Sequence, residues 1–444
     1  MNIPNKQVAS AVRALLGTRG LLSSVELQRA TGKTQSTVSR ALAALAPEVQ
    51  AVGRARATRY ALLRDIMGHA ARQPVFVTDA VGLATQWGEL LFLEGERLHL
   101  KGANVDIGTL RELPWFLDPL RSQGFLGRLR GSTMGFADGN PDHWTLEQQL
   151  YVLLAFEHDG PGAFTLGELR GELLPEAPLD VSARADHYDR LARDVASTLP
   201  AGSSAGGEQP KFLVHLETPQ GYQRLIVKFS PPRGTPFGER WHDLLHAEAL
   251  ALGLLQAHGI ATAATRVVES PQRTYLESVR FDRIGLNGKR HVVPLSAVHR
   301  AFIGGAPRHW AASGDALAAQ GKLSGEDART VRVLRAFGRL IGNNDMHTGN
   351  LSFFLEDPMA LASPRFVLAP AYDMLPMGFK PGEFRDEMGY TPLALPDAEA
   401  GASDVARLAR DMAMAFWSQL ALHPKVSEAL RQTASAQAEM LSKP

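Results

Sequence analysis

Apolar residues recur at helical spacing from the start of the chain. Val8, Val12, Leu15 and Leu16 share one face, and Gly17 and Gly20 are expected to break that helix. Ser23 and Glu26 have capping-box spacing: the serine hydroxyl accepts an early helix amide while the glutamate reaches back. A short second helix is therefore predicted through Ala30, ended by Gly32. TQSTVSRALAAL, residues 34–45, predicts a third helix that buries Val38, Leu42 and Leu45. Gln35, Ser36, Ser39 and Arg40 lie at its exposed beginning. VQAVGRARATRYALL, residues 49–63, reads as two strands around a Gly-Arg turn, lined by Arg54, Arg56 and Arg59. Two short helices across a glycine turn, then a hairpin, is the layout of a winged helix-turn-helix. There the second of the paired helices presents its N-terminal residues to base edges, and the hairpin meets phosphates or a minor groove.

Farther on, PVFVTDA, ELLFLEG and RLHLKG predict strands. GSTMGFADGNPDHW, residues 131–144, reads as a loop, Leu146–Phe156 as a helix, and residues 157–180 as a connection or lid. No chemical constellation stands out there. KFLVHLE and RLIVKFS (224–230) predict strands joined at PQGY, and residues 240–259 a helix. Val331, Leu334, Phe337 and Ile341 mark a helix over 326–341, and Leu351, Phe353 and Leu355 the strand that follows. FVLAPAYDML, 366–375, is a further apolar run that Asp373 interrupts, which places Asp373 at a strand end.

Composition changes this picture in three ways. The chain of 444 residues is too long for one ordinary core, so two or three domains are expected. There is no cysteine, which excludes disulfides and cysteine-ligated metals and is compatible with a reducing cytoplasm. MNIPNKQVAS lacks the apolar segment of a signal peptide, and no run of about eighteen apolar residues occurs, so no membrane partner and a cytoplasmic location are expected. Charge is distributed unevenly. Residues 1–72 hold eleven Lys/Arg and three acids, +8, while the whole chain is +1, so the remainder carries −7. A basic end on an acidic body points to a polyanion at that end, and double-stranded DNA through residues 1–70 is the expected partner.

The candidate chemistry lies in the last two-thirds of the chain. AGSSAGGEQPK, 201–211, is a glycine-rich stretch before a strand, able to turn successive amides toward an anion, though by itself it reads first as a plain flexible connection. Lys228 sits among Leu225, Ile226, Val227 and Phe229, where a charge needs an anionic partner or an outlet to solvent. Glu248 on the following helix could be that partner, as in protein kinases, or could be an exposed helical acid. In NNDMHTGN, Asp345 and Asn350 stand five apart between a helix and a strand. Asn350 and Asp373 would supply hard oxygen ligands to Mg²⁺, leaving Asp345 to accept a proton from a hydroxyl nucleophile. His347 is either a site residue or an ordinary loop histidine. Each of these residues alone could equally cap a turn.

SSAGGEQPK, IVK, SVRFDR, NNDMHTGN and LAPAYDML, in that order, resemble the HipA family over roughly residues 74–425. That resemblance implies an α+β, two-lobed protein-kinase-like fold, here preceded by the small winged helix-turn-helix. The expected blocks are 1–70, a HipA-like subdomain at 74–180, the nucleotide-binding part at 181–300 and a helical lobe at 301–444. It implies an ATP- and Mg²⁺-dependent serine/threonine kinase of toxin type. Asp345 would be the catalytic base, Asn350 and Asp373 the metal ligands, and Lys228 the contact to ATP phosphates. Gly206, Gly207, Glu208, Gln209 and Lys211 would form the loop over the nucleotide. Ser204, with Ser203 beside it, falls where family members autophosphorylate. Translation components such as an aminoacyl-tRNA synthetase would be the substrates.

The chain departs from the family pattern at Pro210, a place usually acidic, and at PLSAVH, 294–299, which lacks acids expected near the adenine hinge. It also carries its own DNA-binding candidate, so whether a separate antitoxin exists stays open. Two other readings stay open: a DNA-binding regulator with a nucleotide-binding but inactive kinase-like domain, and a metal site that acts on DNA.

Overall fold

The computed structural model describes residues 3–103, 105–136, 138–156, 159–169, 179, 181–198, 209–219, 221–381, 390–394 and 404–443. Ser203, Ser204, Gly206, Gly207 and Glu208 lie outside the described residues. Among the described residues no helix is long and apolar enough to cross a membrane.

The first helix, Ile3–Arg19, runs through Gly17 and ends at Gly20 (φ +71°). Gly17 was expected to break it. The helix continues through it: Gly17 is exposed, and an added Cβ would stand in ordinary contact, 3.8 Å from Leu62 Cδ1. The capping box forms: the Glu26 amide donates to Ser23 Oγ at 3.3 Å, and Ser23 N–H to Glu26 Oε2 at 2.7 Å. Helices Ser24–Thr31 and Gln35–Ala44 follow, separated by Gly32 in the left-handed region. Strands Val49–Val52 and Arg59–Leu62 pair antiparallel, and Leu22–Ser23 joins as a third strand. The tight Gly-Arg turn is not formed. A longer tip with a 3₁₀ turn, Ala55–Ala57, connects the strands, with Gly53 and Ala55 both at positive φ.

A five-stranded antiparallel sheet comes next, in the order Asp106–Leu110, Arg97–Gly102, Ala84–Leu93, Arg72–Thr78, Phe164–Leu166. The loop expected over 131–144 begins as the end of a helix, Gly124–Thr133, and contains a 3₁₀ turn, Pro141–His143. Its glycines mislead because they serve close approach: a Cβ on Gly131 would lie 2.0 Å from the Gly139 carbonyl oxygen. The segment expected as a connection supplies the edge strand Phe164–Leu166. Just before it, the Asp159 carboxylate takes guanidinium bonds from Arg224, Arg280 and Arg283, and Asp282 pairs with the last two.

His291 closes the seam between this sheet and the rest of the molecule. It is 1% exposed, accepts from Ala163 N–H at 3.2 Å and stands edge-on to Phe164, 4.7 Å between ring centres. Burial pushes its imidazole down to about 3. An unfolded histidine takes its proton near 6.5 and the folded one refuses it, so this contribution is whole above pH 6.5 and lost as pH falls from 6.5 toward 3. Urea unfolding of wild type is expected to lose up to about 1.4 kcal/mol per pH unit there relative to His291→Phe. Parallel pH profiles for the two proteins would disprove it.

A four-stranded antiparallel sheet follows, ordered Thr265–Glu269, Thr274–Val279, Gly221–Phe229, Lys211–Thr218. The helix Pro236–Ala257 is buried nearly all round, its polar His242, Asp243, His246 and Glu248 included. Asp243 ties it to the C-terminal helices by accepting from Ser427 N–H (2.8 Å) and Tyr390 Oη–H (2.7 Å). Helices Gly325–Leu340, Asp404–Ala421 and Glu428–Ser442 form the helical part around Phe337, Phe416 and Trp417. The strands Val292–Pro294, Ser352–Leu355 and Phe366–Leu368 make a small sheet beside it. PLSAVH runs from the end of the strand Val292–Pro294 into the helix Leu295–Phe302.

Candidate active site

Lys228 lies on an interior strand of the four-stranded sheet, which removes the reading of an edge lysine reaching solvent. It is 6% exposed, and Glu248 is 2% exposed, so neither charge has water to satisfy it. They meet: Lys228 Nζ donates to Glu248 Oε1 at 2.5 Å and Oε2 at 2.8 Å, and to Asp373 Oδ1 at 2.5 Å. Burial works against the ammonium, but the Asp373 and Glu248 carboxylates outweigh it and hold Lys228 above its ordinary range. Burial pushes Glu248 up despite Lys228. Burial also acts to raise Asp373, but Lys228 and then Lys211 keep it below the usual carboxylate range. One cation thus bridges two acids brought from a helix and a distant loop.

Asp373 does not end a strand, as its apolar run had suggested. The strand stops at Leu368, and Asp373 sits in the connection after it at φ +53°. A non-glycine residue in the left-handed region is uncommon, and such strain collects where surrounding bonds hold a side chain for a task. Asn343 is one of those holds. It is 5% exposed, donates from Nδ2 to the Asp373 carbonyl at 3.2 Å, and accepts the Asp345 amide on Oδ1 at 3.1 Å. A single amide side chain therefore fixes the Asp345 loop against the Asp373 loop.

Asn350 Nδ2 donates to the Asp345 carbonyl at 2.9 Å, closing that loop on itself. The Asp345 carboxylate is about half exposed, with His347 Nε2 4.0 Å away. His347 shapes the same turn: its carbonyl accepts Trp310 Nε1–H at 2.9 Å, and its Nδ1 accepts the Gly349 amide at 3.0 Å. Tyr372, beside Asp373, donates to the Gly349 carbonyl at 2.8 Å. Asn343, Tyr372 and Trp310 were not singled out from the sequence. Asn343 had a usable signal, an asparagine two residues before Asp345 in the position that accepts a turn amide.

Lys211 pairs in register with Lys228 on the neighbouring strand. Gln209, two residues before Lys211, has a buried Nε2 with no partner among the described residues. An orphaned donor there fits a site built for an anion. The donor set fits Mg²⁺ with a nucleotide: two hard oxygen residues, Asn350 and Asp373, too few to hold the ion without phosphate oxygens. The described residues contain no cluster of three or more His, Asp or Glu able to hold a metal by themselves.

The remaining proposed contacts lie at the other end of the chain. Gln35, Ser36, Ser39, Arg40, Arg54, Arg56 and Arg59 are all exposed.

Comparison with known proteins agrees with the architecture. Residues 203–440 match the HipA-like C-terminal domain, and residues 69–172 the YjjJ-like toxin middle domain. The chain belongs to the HipA family. Within it, the chain is 37% identical to Toxin YjjJ of Escherichia coli (strain K12) over 438 residues, 95% of each chain. Among solved structures it resembles the HipA toxin–antitoxin complex of Shewanella oneidensis MR-1, with HipB and its operator DNA. That match has TM-score 0.52 and 17% identity, and covers 82% of this chain and 95% of that one.

Proposed function

We propose that this protein is an ATP- and Mg²⁺-dependent serine/threonine protein kinase of toxin type whose N-terminal residues bind double-stranded DNA. The observation that carries the reading is Lys228 held between Glu248 and Asp373 while the Asp345 carboxylate stays accessible. In this reading Lys228 anchors the nucleotide phosphates and is itself kept charged and in place by Glu248. Asn350 and Asp373 hold the metal, which when bound neutralises charge developing on the transferred phosphoryl group. Asp345 accepts the proton of the attacking hydroxyl. Gln209 and Lys211 would meet the phosphates, and Gly206, Gly207 and Glu208 are proposed to complete the loop over the nucleotide. Ser204 or Ser203 would take phosphate in cis. About two added negative charges there would repel ATP and switch the enzyme off. The substrate in trans is a serine or threonine of a cellular protein, with a translation component such as an aminoacyl-tRNA synthetase as the first candidate. The test is transfer of labelled phosphate from ATP to the protein itself and to lysate proteins.

The DNA reading rests on the +8 charge of residues 1–72 and on the exposed helix start and hairpin tip. Arg54→Ala/Arg56→Ala in the full chain is expected to flatten the log–log salt dependence of duplex binding by about 1.8, at 0.9 per phosphate contact. An unchanged slope would remove the hairpin from the interface.

A further inference from the structure

The N-terminal head does not hang free of the body. Its strand Arg59–Leu62 continues into main-chain bonds with the five-stranded sheet: Glu94 N–H donates to the Leu62 carbonyl at 2.9 Å, and Arg64 N–H to the Phe92 carbonyl at 3.1 Å. Val52, Ala61, Leu91 and Leu93 form a small shared core beneath them. Arg64 adds ion pairs to Glu96 (3.3 Å) and Glu147. The hairpin tip is therefore held at a set position over the body.

That position opens a cleft of about 580 Å³. Arg54 and Arg59 line its head side, and Asp106, Gly108 and Thr109 its body side. The body wall is Asp106–Leu110, an edge strand of the five-stranded sheet. Its register with Arg97–Gly102 pairs Leu110 with Leu98, so Arg111 and Arg97 stand opposite one another where the two strands diverge. Like charges across a pair cost stability, and neither guanidinium has an ion pair among the described residues. Arg97 is held below its ordinary range first by burial and then by Arg111 and Arg59, which puts each of those two within electrostatic reach of Arg97. Of the acids nearby, Glu26 lies 4.0 Å from Arg59, Glu96 pairs with Arg64, Glu112 follows Arg111 in the chain, and Asp106 is partly engaged, accepting Gly108 N–H at 2.9 Å with His99 Nε2 3.7 Å away. An arginine cluster on a body that is otherwise acidic, continuous with the arginine hairpin, would be complemented by an anion that spans both.

We infer that the five-stranded sheet is part of the DNA interface: Arg97 and Arg111 take phosphates of the same duplex that the head binds, along the seam beside Arg59. The inference rests on the DNA reading above and extends it from the head to the body. Duplex DNA suits the seam because its phosphates recur at fixed spacing along a rigid rod, and because neutralising each one releases counterions whatever the sequence.

The test is duplex binding by the full-length protein, followed by fluorescence anisotropy from 50 to 200 mM salt. Arg97→Ala/Arg111→Ala is expected to flatten the log–log slope by about 1.8 and to weaken binding 10- to 100-fold near 0.1 M salt. Arg97→Lys/Arg111→Lys should keep most of the slope, since counterion release follows charge. Asp106→Asn should tighten binding, a change that damage to the fold would not produce. Wild-type slope in the double alanine variant, with the hairpin variant still impaired, would overturn the seam and leave the head reading standing. No duplex binding by wild type at any of these salts would overturn both.

Discussion

Asp345→Asn is expected to reduce phosphoryl transfer, in cis and in trans, by roughly 10²- to 10⁴-fold, the range for losing a general base. The fold should survive. The carboxylate is half exposed, and the bonds that shape its loop run through the Asp345 amide and carbonyl, to Asn343 and Asn350. Nucleotide affinity should hardly move, because the phosphate and metal residues are untouched. Asp373→Asn should also abolish transfer, but by weakening metal and nucleotide binding together. The two variants therefore separate in a nucleotide-binding assay while failing alike in a labelling assay. Labelling at the wild-type level in both would end the kinase proposal. Nucleotide binding by wild type without any transfer would favour a regulator that has lost catalysis.

Lys228→Met should be the most destabilising single change in the site, by about 3–5 kcal/mol, the cost of leaving a buried charge without its partner. Lys228 is the shared cation of Glu248 and Asp373, and burial already pushes Glu248 toward its neutral form. Removing the ammonium leaves Glu248 to protonate or to pull the helix Pro236–Ala257 out of place. Lys228→Met/Glu248→Leu should recover much of the lost stability, since an apolar pair of similar volume fills the space without an orphan charge. Transfer should remain lost in both. Denaturant unfolding of the four proteins of this cycle measures the coupling. A double variant no more stable than Lys228→Met would mean the ion pair is not what holds helix and strand together.

Some of this architecture could be read locally. The capping box at Ser23 and Glu26 and the helix end at Gly32 depend on residues three to eight apart, and both formed as the spacing required. Lys228 was conspicuous because its neighbours along the strand are apolar. Where local signals misled, packing was the cause. Gly131 lies in a stretch that reads as a loop, yet it continues a helix and makes room for the Gly139 carbonyl on another turn of chain. Asp373 looked like the end of a strand because apolar residues surround it, and only the backbone shows the left-handed turn that carries it away from the sheet.

The sequence by itself determined many of the helices and strands, the basic head on an acidic body, and the kinds of side chain available for chemistry, because these follow from periodicity, capping and charge within short windows. Tertiary structure alone decided that one lysine would bridge acids 20 and 145 residues away. It also decided that Asn343 would lock the Asp345 loop to the Asp373 loop, and that the arginine hairpin would rest over a sheet edge bearing two more arginines. Each is a meeting of segments far apart in the chain. What brings them together is burial of apolar faces elsewhere in the molecule, which no local window of sequence records.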